Sequence, residues 1–249
     1  MVIEKFKLEG TVAIIAGCGK VFLEEIASAF AEVGANIIVA GPDLQGIERA
    51  AKAARHFNQE SLSVLTDLCN AKEVQTLVDQ IASQFGRVDI LVNNFNLEFA
   101  KPFLDTIEEE WLQIIGANLT SVFHCCKAVG KYMVGQNAGR VVNIVSGLGE
   151  RGLPNGAAYC ASMGGVIQLT RALALEWARN NIRVNTIALG WMENDNGETV
   201  EDPIVKYIPE QRRGSSEDVI PLVMFLASEA SSYLSGNVYT VDGGLMARG

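Results

Sequence analysis

The sequence predicts one doubly wound α/β domain over residues 1–249, a seven-stranded parallel sheet with helices on both faces. Three observations carry this. Short β-branched runs alternate with longer helical segments almost from end to end, as in a sheet whose crossovers are helices. No internal repeat or low-complexity linker divides the chain. The composition, 49% apolar and 20% charged, is that of an ordered globular protein with a substantial core.

The strands fall at residues 11–16, 35–40, 61–66, 88–92, 139–145, 181–188 and 237–241, each short and rich in Val or Ile. Between them, segments 22–33, 71–85, 107–133 and 157–179 carry apolar residues at three- and four-residue spacing, the period of a helix with one buried face. Gly34, Gly86 and Gly135 fall just past three of these segments, where a left-handed residue ends a helix. The least regular stretch, 191–213, mixes Asn, Gly, Glu and Pro and reads as a lid-like loop. In such a sheet ligands bind beyond the carboxyl ends of the strands, where the strand order reverses, so the residues that follow each strand matter most.

Bulk properties exclude several functions. A net charge of −9, a pI near 4.8 and no basic cluster argue against a nucleic-acid or anionic-membrane surface. The first ten residues lack a leader-like apolar core and no run reaches a membrane span, so a cytoplasmic protein is expected. Five cysteines, at 18, 69, 125, 126 and 160, show no CxxC pairing and are expected to be reduced and mostly buried. His56 and His124 lack a second ligand at metal spacing, so no metal site is expected.

Towards the C-terminus stand Ile208-Pro209, Arg212, Glu217-Asp218, Phe225-Leu226-Ala227-Ser228, Ser232-Tyr233-Leu234-Ser235-Gly236 and Val241-Asp242-Gly243-Gly244. Their order resembles the tail of the short-chain dehydrogenase/reductase family, and within it the 3-oxoacyl-acyl-carrier-protein reductases. The resemblance runs over essentially the whole chain and implies a Rossmann-type fold. The family's catalytic set is an asparagine, a serine, a tyrosine and a lysine. Asn118, Ser146 and Tyr159 match three of these, with Tyr159 13 residues after Ser146 as the pattern asks.

The fourth position, one helical turn after the tyrosine, holds Met163. In the family the lysine holds the nicotinamide ribose and lowers the tyrosine pKa. A cation about 4 Å away is worth on the order of 4 kcal/mol at an effective dielectric of 20, and a thioether supplies none of it. The methionine reads as an apolar residue filling a helix face. A neutral Tyr159 can still donate a hydrogen bond to a ketone oxygen, so reduction is weakened more gently than alcohol oxidation, which needs tyrosinate.

The cofactor loop departs as well. The family pattern Thr-Gly-x-x-x-Gly-x-Gly aligns with 16–23, keeping Gly17 and placing Val21 and Leu23 at the other two glycines, which let the backbone approach a pyrophosphate. Glu24 and Glu25 occupy the first helical turn, where a bound phosphate would use the field of the helix. Lys20 is the one local cation that could attract a phosphate. Gly41-Pro42 replaces both the acid that selects NAD and the arginine that selects NADP. Asn93-Asn94-Phe95-Asn96 resembles the family's Asn-Asn-Ala-Gly, with the Phe95 ring expected to fill the groove. Asp67 matches a residue near the adenine, or equally a loop cap. Asn93 matches a backbone contact, and Asn194 stands where a threonine meets the nicotinamide amide.

The resemblance, with these departures, predicts a family member having little or no NAD(P)H binding and reductase activity, its cofactor either absent or weakly held NADP(H). Two alternatives are a weak NADPH-dependent ketone or 3-oxoacyl thioester reductase using Ser146 and Tyr159, and an acid/base enzyme that dispenses with nicotinamide. Halohydrin dehalogenases set a precedent for the last, but they keep a cation at the position of Met163. The family also implies a homo-oligomer, a dimer or tetramer built on the helices at 107–133 and 157–179, alone or mixed with an intact family member.

Overall fold

The computed structural model describes residues 2–17, 22–57, 59–193 and 203–247. Seven strands form one sheet: β1 (Val12–Gly17), β2 (Asn36–Gly41), β3 (Ser61–Leu65), β4 (Ile90–Asn94), β5 (Gly139–Ser146), β6 (Ile182–Leu189) and β7 (Val238–Val241). Their order across the sheet is β3-β2-β1-β4-β5-β6-β7, and every neighbouring pair is parallel. The order reverses between β1 and β4, whose carboxyl ends, Gly17 and Asn94, are register partners.

Strand side chains alternate between two apolar layers. Along β1, Val12, Ile14 and Ala16 join one layer, while Ala13 and Ile15 join the other. The first layer is closed by α3 (Ala71–Phe85), α5 (Ser121–Gln136) and α6 (Ala157–Glu176). The second is closed by α1 (Leu23–Glu32), α2 (Leu44–Arg55) and α7 (Ser216–Ala227). At about 1.5–3 kcal/mol for each fully buried Ile, Leu or Val, these two layers are the main driving force of the fold. Because β1 is buried on both faces, its sequence is continuously apolar rather than alternating.

Polar side chains also cross the first layer. Asn93, Asn143 and Thr186 are register partners on β4, β5 and β6. Asn93 Nδ2 donates to Asn143 Oδ1 at 2.7 Å, Asn143 Nδ2 donates to Thr170 Oγ1 at 2.8 Å, and Thr186 bonds the same hydroxyl at 2.8 Å. The chain ties α6 to three central strands and so fixes the height of that helix against the sheet.

Several expectations are corrected. The helix anticipated at 107–133 is two helices, α4 (Glu108–Ile115) and α5, joined by a π-helical turn at Gly116–Thr120. Here Ser121 N–H reaches the Gly116 carbonyl, and its hydroxyl donates to the same oxygen at 3.1 Å. Gly135 does not end α5: the helix continues to Gln136, and Asn137 takes the left-handed conformation at φ 51°. Gly86 does so at the end of α3, with φ 75°. Two helices, α2 and α7, stand where no helical segment was singled out. Asp43 caps α2 by accepting from Gln45 N–H, and Ser215 with Asp218 forms a capping box on α7. Of the four described cysteines only Cys125 and Cys126 are buried, Cys69 is exposed and Cys160 is half-buried. Burial pushes both buried thiols up, Cys126 to about 12. Among the described residues no helix is long and apolar enough to cross a membrane.

Candidate active site

A cavity of about 570 Å³ opens at the carboxyl ends of β4, β5 and β6. Ser146, the last residue of β5, and Tyr159, in the first turn of α6, both line it. Helical geometry sets the pairing: α6 starts a short loop after β5 and packs back along it, so its first turn sits over the strand's end. Ser146 Oγ accepts from Leu148 N–H at 3.2 Å, which caps the short turn that follows the strand.

Tyr159 is the centre of the site. Its hydroxyl contacts Ser146 and donates to Asn96 Oδ1 at 2.5 Å. Burial pushes its pKa up to about 12, against the Ser146 hydrogen bond, which favours the ionised form, and with the Glu98 carboxylate adding to the rise. At neutral pH the phenol is therefore a proton donor and a poor base.

Asn118 is carried on the π-helical turn and is 1% exposed. It accepts from Leu97 N–H at 2.8 Å and donates to Leu97 O at 3.0 Å, a two-point clasp on the loop after β4. Its amide also reaches Ser162 Oγ at 3.2 Å, and Ser162 in turn donates to the Tyr159 carbonyl at 2.7 Å. Asn118 thus links the β4 loop to the helix that bears Tyr159, without touching the phenol. The extra residue of the π-turn is what aims this side chain inward, a common use of such turns.

Met163 lies one turn after Tyr159 on α6 and is fully buried, at 0% exposure. A Cβ added to Gly149 would come within 3.0 Å of Met163 Cβ, so the short turn after β5 rests directly on it. The apolar reading of Met163 as core filler is the one its packing bears out.

At the end of β1, Gly17 is enclosed. A Cβ added to it would meet the Asn94 carbonyl at 2.6 Å and Leu23 Cδ2 at 3.2 Å. Leu23 itself is 7% exposed and belongs to the core, with its side chain packed beside Gly17. Phe22, before it, is also buried and takes the left-handed conformation at φ 65° with no side-chain cap. Glu24 and Glu25 lie in the first turn of α1, both exposed. Lys20, Val21 and Asn194 lie outside the described residues. On β2, a Cβ at Gly41 would approach Gly17 O to 2.2 Å, so only glycine fits that crossing, and Pro42 beyond it is exposed.

The side chains of the two remaining candidates are engaged in local hydrogen bonds. Asp67 is exposed and accepts from Cys69 N–H at 2.9 Å, the loop-cap role that the sequence allows. Asn93 is 1% exposed, with its side chain in the polar chain that runs through Asn143 to Thr170 on α6. Phe95 is likewise buried and joins the core on the α3, α5 and α6 side. Ser146, Tyr159 and the Asn118 clasp therefore come together at the cavity, while Gly17 and Asn93 stand at the neighbouring carboxyl ends of β1 and β4 and Asp67 just beyond β3. Asn96 and Glu98 are the site residues that sequence reasoning passed over. The signal for Asn96 was its place at the fourth position of the Asn93–Asn96 run.

The Enoyl-(Acyl carrier protein) reductase family model matches residues 24–246. A 2-dehydro-3-deoxy-D-gluconate 5-dehydrogenase of Escherichia coli is 35% identical, with all of both chains covered. A 3-oxoacyl-[acyl-carrier-protein] reductase of Synechocystis is 35% identical over 96% of this chain and 98% of its own. A gluconate 5-dehydrogenase from Burkholderia cenocepacia, solved in complex with NADP and tartrate, superposes with a TM-score of 0.91 at 29% identity and full coverage of both chains. A fold, a serine–tyrosine pair at the strand ends and these full-length similarities agree: the chain belongs to the short-chain dehydrogenase/reductase family.

Proposed function

We propose that this chain is a family member with little or no NAD(P)H binding and reductase activity, whose cavity binds an oxygen-bearing ligand at Ser146 and Tyr159. The observation that carries the reading is Leu23. Its buried side chain stands over Gly17, where the backbone of a dinucleotide site is left bare for a pyrophosphate. Pro42 offers neither a carboxylate for a ribose nor a cation for a 2′-phosphate, and Met163 offers no cation to Tyr159. On this reading the residues present do not fit a dinucleotide. The high pKa of Tyr159 also disfavours a nicotinamide-independent enzyme that needs tyrosinate.

A second reading, a weak NADPH-dependent reductase of a ketone or 3-oxoacyl thioester, is supported by the pairing of Ser146 with a neutral Tyr159 on the cavity wall. A neutral phenol is the protonation state that carbonyl reduction requires. The two readings part in one assay. Purified protein given acetoacetyl thioester and millimolar NADPH is expected to oxidise no cofactor above a Tyr159→Phe control. Tyr159-dependent turnover would establish the second reading instead.

A further inference from the structure

Tyr159 has one proton, and its partner in the resting site is Asn96. The phenolic oxygen lies 2.5 Å from Asn96 Oδ1, at the short end of hydroxyl-to-oxygen hydrogen bonds. A carboxamide oxygen can only accept, so the phenol is the donor. Both side chains line the cavity, so a ligand oxygen that enters meets a tyrosine already engaged. Asn96 stands near the start of the loop that follows β4, one residue before the Asn118–Leu97 clasp that holds this loop in place. The loop therefore has little freedom to carry Asn96 away. Asn96 Nδ2 has no protein partner among the described residues, so the amide also offers N–H donors at the cavity wall.

We propose that Asn96 is a positioning residue for Tyr159: its carboxamide oxygen captures the phenolic proton in the resting site, and a ligand carbonyl or carboxylate binds by taking Tyr159 from it. Capture by a neutral acceptor favours the protonated phenol and aims its O–H along the β4 loop rather than into the cavity. A cation beside the phenol would do the opposite, favouring ionisation. With Met163 buried at the turn below, Asn96 is the group that sets the direction of this proton. The inference concerns the resting protein and does not depend on whether nicotinamide binds.

The test is proton NMR of the protein at neutral pH. A phenolic hydroxyl in a short, buried hydrogen bond exchanges slowly and resonates downfield, and Tyr159→Phe assigns the signal by removing it. Asn96→Asp keeps an acceptor oxygen and is expected to keep the signal. Asn96→Leu fills the same space without an acceptor and is expected to abolish it, with Asn96→Ala as a second, smaller variant should leucine perturb folding. Acetate or acetone, as probes of ligand oxygen, are expected to bind the Leu or Ala variant at least threefold tighter than wild type by chemical-shift titration. A hydroxyl signal that survives in the Leu or Ala variant, or probe affinity unchanged or weaker in whichever of them folds, would overturn the proposal.

Discussion

The hydroxyl of Tyr159 is buried between Ser146 and Asn96, and its chemistry follows from that position. A free tyrosine titrates near pH ~10, while Tyr159 is pushed to about 12 by burial. The sign of the linkage is that of an acid whose ionised form the fold disfavours. Below the unfolded value both states hold the proton and stability is unaffected. As pH rises from about 10 towards 12 the unfolded chain ionises first, and stability falls by at most about 1.4 kcal/mol per pH unit from this residue. Urea unfolding of wild type and Tyr159→Phe at pH 8, 10 and 11 is expected to show a steeper alkaline loss in the wild type; parallel losses would contradict the burial assigned to the phenol. Met163 gives the complementary test. Lysine at that fully buried position places an ammonium among apolar neighbours, so Met163→Lys is expected to lose about 3 kcal/mol or more in denaturation and to gain no NADPH turnover. Restored turnover would mean that position 163 alone limits the enzyme. The apolar nature of Met163 could be read directly from the sequence, because the spacing to Tyr159 fixes its face. The role of Asn96 could not, because a hydrogen bond between residues 63 positions apart is set by how a loop folds back over α6.

At the scale of elements, the strands were legible because a parallel sheet covered on both faces demands short β-branched runs, and β1, β2, β4, β5 and β6 supply them. The break between α4 and α5 was not. Gly116–Thr120 contains no proline to mark a change of helix type, and the π-turn shows only in the Ser121 N–H bond to the Gly116 carbonyl. The apolar α7 is interrupted by Pro221, which blurs its period, whereas the amphipathic period of α2, with Ile47, Ala50, Ala51 and Ala54 on one buried face, was there to be read. The helix faces also bear on assembly. Leu112 on α4, Phe123 on α5 and Leu175 on α6 are exposed at 57%, 44% and 83%, on the helices that the family resemblance assigns to subunit pairing. Scattered apolar residues are ordinary on a surface; the homo-oligomer that the family resemblance implies would be expected to cover these three. Light scattering is expected to give a mass of two or four times 26.8 kDa, and a monomeric mass would contradict the pairing.

For the whole molecule, the same scaffold serves two ends differently. Around β4, β5 and α6 the polar chain from Asn93 to Thr186 and the Asn118 clasp hold Ser146 and Tyr159 at an open cavity. Around β1 and β2, Leu23 packs beside Gly17, and Gly41 approaches the Gly17 carbonyl too closely for a side chain. The family fold is intact and the cavity keeps its serine and tyrosine, while the proposed loss of dinucleotide binding rests on Leu23 beside Gly17. The most direct test is a calorimetric titration of the wild-type protein with NADPH and, separately, NADH. No saturable binding in the low micromolar range is the result expected of a site closed by Leu23. Saturable low-micromolar binding of either nucleotide would contradict it.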